Sequence, residues 1–352
     1  MITRPRLCAA IFSTIISALL LTLRLALVSG TPSTLQPRTA PIPTHPSPGF
    51  GFDLGPSYIA ASIRYSNGTF DGFVFTNVSD VYRQFFVDSS QGRERCRGDW
   101  PQLTTEPQHN HSDLLPQEDP GHHPAVDILT NLIGKAKTDV QGTTGLRIDD
   151  AFVSSPKLPG LCNEDIEAAL RNVGIKPIHN SRVVKQPHEL SASYAAYGRG
   201  LCSDYTRQNP CEYEERWELP LRVVMAVTYS DEALHVEYSK LDYAASLIFQ
   251  QNSHVDWQAG ANDLSKTSDP WNHWNRVRVR LLELALHWCR VWPKVDIVIL
   301  AGPHARNETF VEVVKDTFAR FQDEPPELLM EHGDTTSARG AAELAFRAQY
   351  QR

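Results

Sequence analysis

One short stretch near the start of the chain has the residue types that hold a phosphate. In GFGFDLGPSYIAASI, residues 49–63, Asp53 stands two positions before Gly55, and Ser57 and Tyr58 follow before the apolar alternation resumes. An aspartate at a strand end can hold a hydrated cation, a glycine lets the backbone approach an oxyanion, and a hydroxyl adds a donor. Pro56 departs from that chemistry, because it lacks the N–H that such a turn would aim at phosphate. A further acid, Glu189, opens the segment ELSASYAAYG, and Gly302 follows the apolar run IVILA. Taken singly, each has a plainer reading: Asp53 as a turn residue and Glu189 as an acid at a helix N-terminus.

These residues need elements to position them. Strand-like runs at 50–54, 58–65 and 70–75, with Asn67-Gly68 in the second gap, predict a three-stranded meander. A helix is expected over 125–137, a short buried strand at 151–154 and a helix at 163–173 stopped by Gly174. Residues 84–123 read as irregular, with His109, His111, His122 and His123 as unliganded loop histidines. The second half repeats the plan, with paired strands at 221–229 and 233–241, a helix over 275–292 and a strand at 295–300. That is an internal duplication of architecture rather than of sequence.

The first 30 residues stand apart. Arg4 and Arg6 precede a run from Leu7 to Val28 that is apolar except for Arg24 and a few hydroxyl residues, ending in small residues. This is a signal peptide, or a retained type II anchor, since about 20 apolar residues span a bilayer. Either way the rest of the chain is expected in the secretory lumen. Residues 31–48 form a Pro-rich linker. The 352 residues carry a formal charge of −7, and loss of three arginines with the leader leaves −10, so nucleic acid is not an expected partner. Sequons at Asn67, Asn77, Asn110 and Asn307 permit glycans. Beyond residue 30 there are five cysteines, an odd number; Cys202 and Cys211 bracket a short polar loop that a disulfide would close, and Cys289 reads as a buried thiol.

In order, these pieces resemble the actin-like ATPase superfamily, and within it the nucleotide-binding domain of the seventy-kilodalton heat-shock chaperones. FDLGPSY at 52–58 is similar to the first phosphate loop, AFVSSP and HELSASYAAYG to a strand and the first connecting segment, and VVMAVTYSDEALHVEYSKLD at 223–242 to the region of the second loop. IVILAGPHARNETFVEVVKD at 297–316 is similar to the adenosine motif and DTTSARGAAELAF at 334–346 to the second connecting helix. The resemblance implies an α/β, two-lobed actin-like (ribonuclease H-like) fold, each lobe a mixed sheet flanked by helices, with lobes at 49–200 and 201–346. It implies ATP and Mg²⁺ as ligands, Asp53 near the metal, Gly55, Ser57, Tyr58 and Gly302 around the nucleotide, and Glu189 ordering metal and water.

The departures are heavier than the matches. At the second loop Thr228, Ser230, Asp231, Glu232, Ala233 and His235 replace the family's acids, glycines and threonine, and a catalytic lysine finds no place between 76 and 125. The leading expectation is therefore a secretory protein in which ATP binding is weak or absent and the domain serves as an interaction scaffold for a protein partner. One alternative is an active Mg²⁺-ATPase recruiting Asp71, Asp80 or Asp242. The other is a glycoprotein binding module that uses the loop at 96–123 and Trp257, Trp271 and Trp274.

Overall fold

A computed structural model of the chain describes residues 46–92, 124–178, 186–244, 252–289 and 294–350. The leader, most of the linker, the histidine loop, Cys96 and Asn110 lie outside those residues. Among the described residues no helix is long and apolar enough to cross a membrane.

The first half runs β1 (Gly49–Leu54), β2 (Ile59–Arg64), β3 (Phe70–Phe75), α1 (Asp80–Gln91), α2 (Pro124–Thr144), β4 (Asp150–Ser154), α3 (Asn163–Asn172) and β5 (Lys176–Pro177). Then come α4 (Glu189–Ala196), α5 (Gln208–Trp217), β6 (Arg222–Tyr229), β7 (Leu234–Leu241), β8 (Asn252–Asp256), α6 (Ala261–Lys266) and α7 (Pro270–Cys289). The chain closes with β9 (Ile297–Ala301), α8 (Glu308–Phe321), β10 (Glu327–Leu329) and α9 (Thr336–Ala348). The strands make two five-stranded sheets, ordered β3-β2-β1-β4-β5 and β10-β9-β6-β7-β8. Read from the hairpin edge, the second order is the first again, with an antiparallel meander followed by two parallel strands in each. The expected α/β fold of two mixed sheets flanked by helices is the observed one, and the duplication is one of topology.

Alternation along the strands sorts the side chains. Phe50, Phe52 and Leu54 face a core with Leu129 and Ile133 of α2, while Met225, Val227 and Tyr229 face a second core with α7 and α8. The opposite faces look toward each other across α4 and α9. There Phe152, Ala192, Val224, Ala226 and Ala341 share a third core. The inner faces are where Asp53 and Thr228 must point, since each stands in alternation with the outward apolar set.

The two connecting helices touch almost backbone to backbone. A Cβ on Gly340 of α9 would lie 1.6 Å from the Ala192 carbonyl oxygen of α4, and one on Gly51 would lie 2.3 Å from the Ala338 carbonyl oxygen. Neither contact can relax by rotating a side chain. Gly340→Ala is therefore expected to cost about 3 kcal/mol, the upper end of the overpacking range, read as a drop in the urea midpoint.

Two helices stand out among the differences from the sequence reading. Residues 80–91, partly assigned as irregular, form α1, because Ser79 accepts the Tyr82 N–H as an N-cap and Tyr82 and Phe86 bury one stripe. Residues 208–217 form α5, although its sequence carries Pro210 and few apolar residues. Its hold is tertiary: Cys211 is bonded to Cys202, and Glu214 and Glu215 accept the N–H groups of Ser203 and Cys202. Cys162 is also disulfide-bonded.

Candidate functional site

Asp53, one residue before the end of β1, stands opposite Ser154 of the parallel strand β4, and its two carboxylate oxygens are taken. Ser154 Oγ donates to Oδ1 at 2.6 Å and Tyr58 Oη to Oδ2 at 3.0 Å. The hairpin folds Tyr58 back over its own turn. A Cβ built on Gly55 would meet the Tyr58 ring at 2.0 Å, so the face where glycine admits a phosphate is covered by an aromatic side chain. Tyr82 Oη donates to the Gly55 carbonyl at 2.8 Å, and Gly55 N–H donates to the Tyr58 carbonyl at 3.0 Å. Of the hydroxyls at this turn, only Ser57 Oγ is buried without a partner among the described residues.

Across from Asp53, the second sheet supplies side chains where the second phosphate loop was expected. Thr228 pairs with His235 in the β6–β7 register, and Glu237 follows on the same face. Thr228 Oγ1 donates to Glu189 Oε1. His235 Nδ1 lies 2.9 Å from Glu189 Oε2, and Nε2 lies 2.8 Å from Ser253 Oγ, contacts that one neutral imidazole satisfies by donating from one nitrogen and accepting at the other. Glu237 accepts the backbone N–H groups of Lys157 at 2.7 Å and of Leu190 at 2.8 Å. Leu190 belongs to the first turn of α4, whose N–H groups have no partner within the helix, so Glu237 caps that helix from the other sheet. The result is a polar latch between the two halves.

The latch is dry. Asp53, Glu189, Glu237 and His235 are each at most 1% exposed. Burial pushes the Asp53 carboxyl up, reinforced by the nearby Glu189, while the bonds from Ser154 and Tyr58 oppose the rise. Burial also raises Glu189, against the Thr228 bond, and Glu237, against His235. Burial lowers His235, which keeps the ring neutral. A Mg²⁺ ion demands near-octahedral oxygen ligands at about 2.0–2.1 Å and keeps several waters. Buried carboxyl oxygens already bonded to Ser154, Tyr58, Thr228, His235 and backbone N–H groups do not fit that ion, nor does a turn filled by Tyr58 fit a polyphosphate. Among the described residues, the candidate ligand cluster is Cys202, Cys211 and Glu215, and its two sulfurs are spent on the disulfide.

The other expected site residues lie as follows. Gly302 has φ +89°, and a Cβ there would stand 2.7 Å from the Tyr229 carbonyl oxygen, so its glycine requirement follows from packing against β6. Asp231 and Glu232 neither repel one another into solvent nor face Asp53: Asp231 pairs with His304 at 2.8 Å and Glu232 accepts from Asn262 at 3.2 Å. Asp71 and Asp80 are exposed. Asp242 lies beyond the Arg222 end of β6, six residues and about 20 Å from Thr228. Residues 76–125 contain no lysine.

The tryptophans do not form a sugar platform. Trp257 donates to Ser90 Oγ at 2.9 Å and packs edge-on against Phe86, tying the end of β8 to α1. Trp274 is buried beside Tyr229, and Trp271 alone of the three is exposed. Sequence reasoning missed Glu237, Ser154 and Tyr82. For Glu237 a signal existed: β7 reads LHVEYSKL, with His235, Glu237 and Ser239 at alternate positions opposite an apolar face, which marks a buried polar row.

No family model matches the sequence, and no curated protein matches it. Among solved structures, the chain is similar to the ethanolamine utilization protein EutJ from Carboxydothermus hydrogenoformans, at 13% identity and a TM-score of 0.46, covering 85% of this chain and 91% of that one.

Proposed function

We propose that this is a secretory-pathway protein whose chaperone-like, actin-type ATPase domain has given up nucleotide hydrolysis and acts as an interaction scaffold. The observation that carries the reading is the closure of the first phosphate loop by Tyr58, which covers Gly55 and bonds the one aspartate that would stand near the metal. Where a nucleotide would join the two halves, the chain joins them itself through Glu189, His235 and Glu237. Pro56, the missing lysine between 76 and 125, and the burial of acids already bonded within the chain point the same way. The disulfides at Cys162 and at Cys202–Cys211 support an oxidising compartment. Asn67, Asn77 and Asn307 are exposed, and the caps formed by Asn67 and Asn307 use the side-chain oxygen and leave the amide nitrogen for a glycan.

A melting curve tests this reading. With millimolar ATP and Mg²⁺ the midpoint is expected to stay where it is without ligand. A site filled to 100 times its dissociation constant would add about 2.7 kcal/mol, a shift no melting experiment misses. Such a shift, removed by Asp53→Ala, would establish a nucleotide site and sink the proposal.

A further inference from the structure

A cavity of about 400 Å³ opens at the far end of the second sheet from the latch, between the loop after α4 and the starts of β6, β9 and β10. Its apolar wall includes Leu201, Leu219, Pro220, Val295 and Pro325. Most of the charges around it neutralise one another or bond the backbone. Arg199 pairs with Glu327, Lys294 with Glu324, and Asp296 accepts the Val223 N–H. Three groups are left over. The Arg222 guanidinium has no partner among the described residues, and Asp242 accepts only the N–H of its neighbour Tyr243. Arg222 and Asp242 stand at adjacent strand ends, Arg222 opposite Leu241, without closing an ion pair on each other. The third is Tyr194, which is 3% exposed, lines the cavity and has a hydroxyl without a partner among the described residues. Arg199 and Arg222 line the same cavity as Tyr194.

We propose that this cavity binds a zwitterion with an apolar side chain, a free α-amino acid or short peptide. Arg222 and the Tyr194 hydroxyl take its carboxylate, Asp242 takes its ammonium group, and the Leu219–Pro220 wall takes its side chain. One leftover cation, one leftover anion and one buried donor match that ligand, whereas a simple anion would leave Asp242 facing it. The volume lies within the range of small-molecule pockets.

Isothermal titration of the full chain with L-leucine and with the dipeptide Leu-Leu distinguishes the two sources. Saturable binding of one or both is expected, weakened about tenfold when Arg222→Ala removes the carboxylate partner, and similarly when Asp242→Asn removes the ammonium partner. Leucine amide should bind the native chain as poorly as leucine binds R222A, and N-acetyl-leucine should bind as poorly as leucine binds D242N. Tyr194→Phe, which deletes one oxygen, should weaken binding without changing the fold. Absence of saturable heat with either probe at millimolar concentration, or binding that R222A, D242N and the blocked ligands leave unchanged, overturns the proposal.

Discussion

Glu237→Ala is expected to destabilise the chain by on the order of 4 kcal/mol, more than any loss of a surface charge would explain. Two backbone N–H groups, of the half-buried Lys157 and the buried Leu190, would lose their acceptor, and an unsatisfied buried donor costs about 1–3 kcal/mol. The loss falls at the contact between the two halves, so cooperative unfolding should suffer along with the midpoint. Glu237→Gln keeps one oxygen for one amide and turns a donor toward the other, so about half the loss is expected. Urea denaturation of both variants decides the matter. A Glu237→Ala chain within about 0.5 kcal/mol of the native one would mean that the latch contributes nothing to holding the halves together.

Stability should rise as pH falls from 9 to 6.5, on the order of 2 kcal/mol in all. Asp53 is raised to about 8, and Glu189 and Glu237 to about 7, all far above their values in an unfolded chain. The folded state therefore binds protons in this window that the unfolded state does not. For such groups the stabilisation is complete below the unfolded carboxylate pKa and is lost as pH rises through the folded one. Tyr58 and Tyr82, also raised by burial, act in the same sense only above the unfolded tyrosine pKa near 10, outside this window. His235, His254, His273 and His332 oppose it, because burial lowers each of them. Their contribution is present above the unfolded histidine pKa near 6.5 and fades as pH falls below it, so the gain should level off there. Urea midpoints at several pH values measure the curve, and Asp53→Asn should flatten its alkaline limb. A midpoint that climbs from pH 6.5 to 9 would show the buried acids to be ionised, and with them a site that could still hold a cation.

Most of the architecture was legible because it rests on local patterns. The Asn67-Gly68 hairpin, the alternation of Phe50, Phe52 and Leu54, and the repeated strand pair at 222–241 are short-range signals, and each became the element it suggested. α5 was not legible, since a disulfide and two glutamates hold it rather than its own propensity. Pro56 and the altered second loop already pointed away from phosphate. What fills the space could not be read from them.

Asp53, Gly55 and Tyr58 are neighbours in the chain, yet no rule of spacing says that the tyrosine ring turns back over the glycine instead of outward. That rotamer is chosen by the buried Asp53 carboxyl and by Ser154, which lies 101 residues away. Glu189 and His235 are 46 residues apart, and Leu190 and Glu237 are 47 apart. Residue order and apolar period settled most of the strands and helices and which face of each is buried. Only the packing of one sheet's inner face against α4 and the other's decided which partners the buried acids would find within the chain, because hydrogen bonds and desolvation act through space, across distances the chain order does not encode.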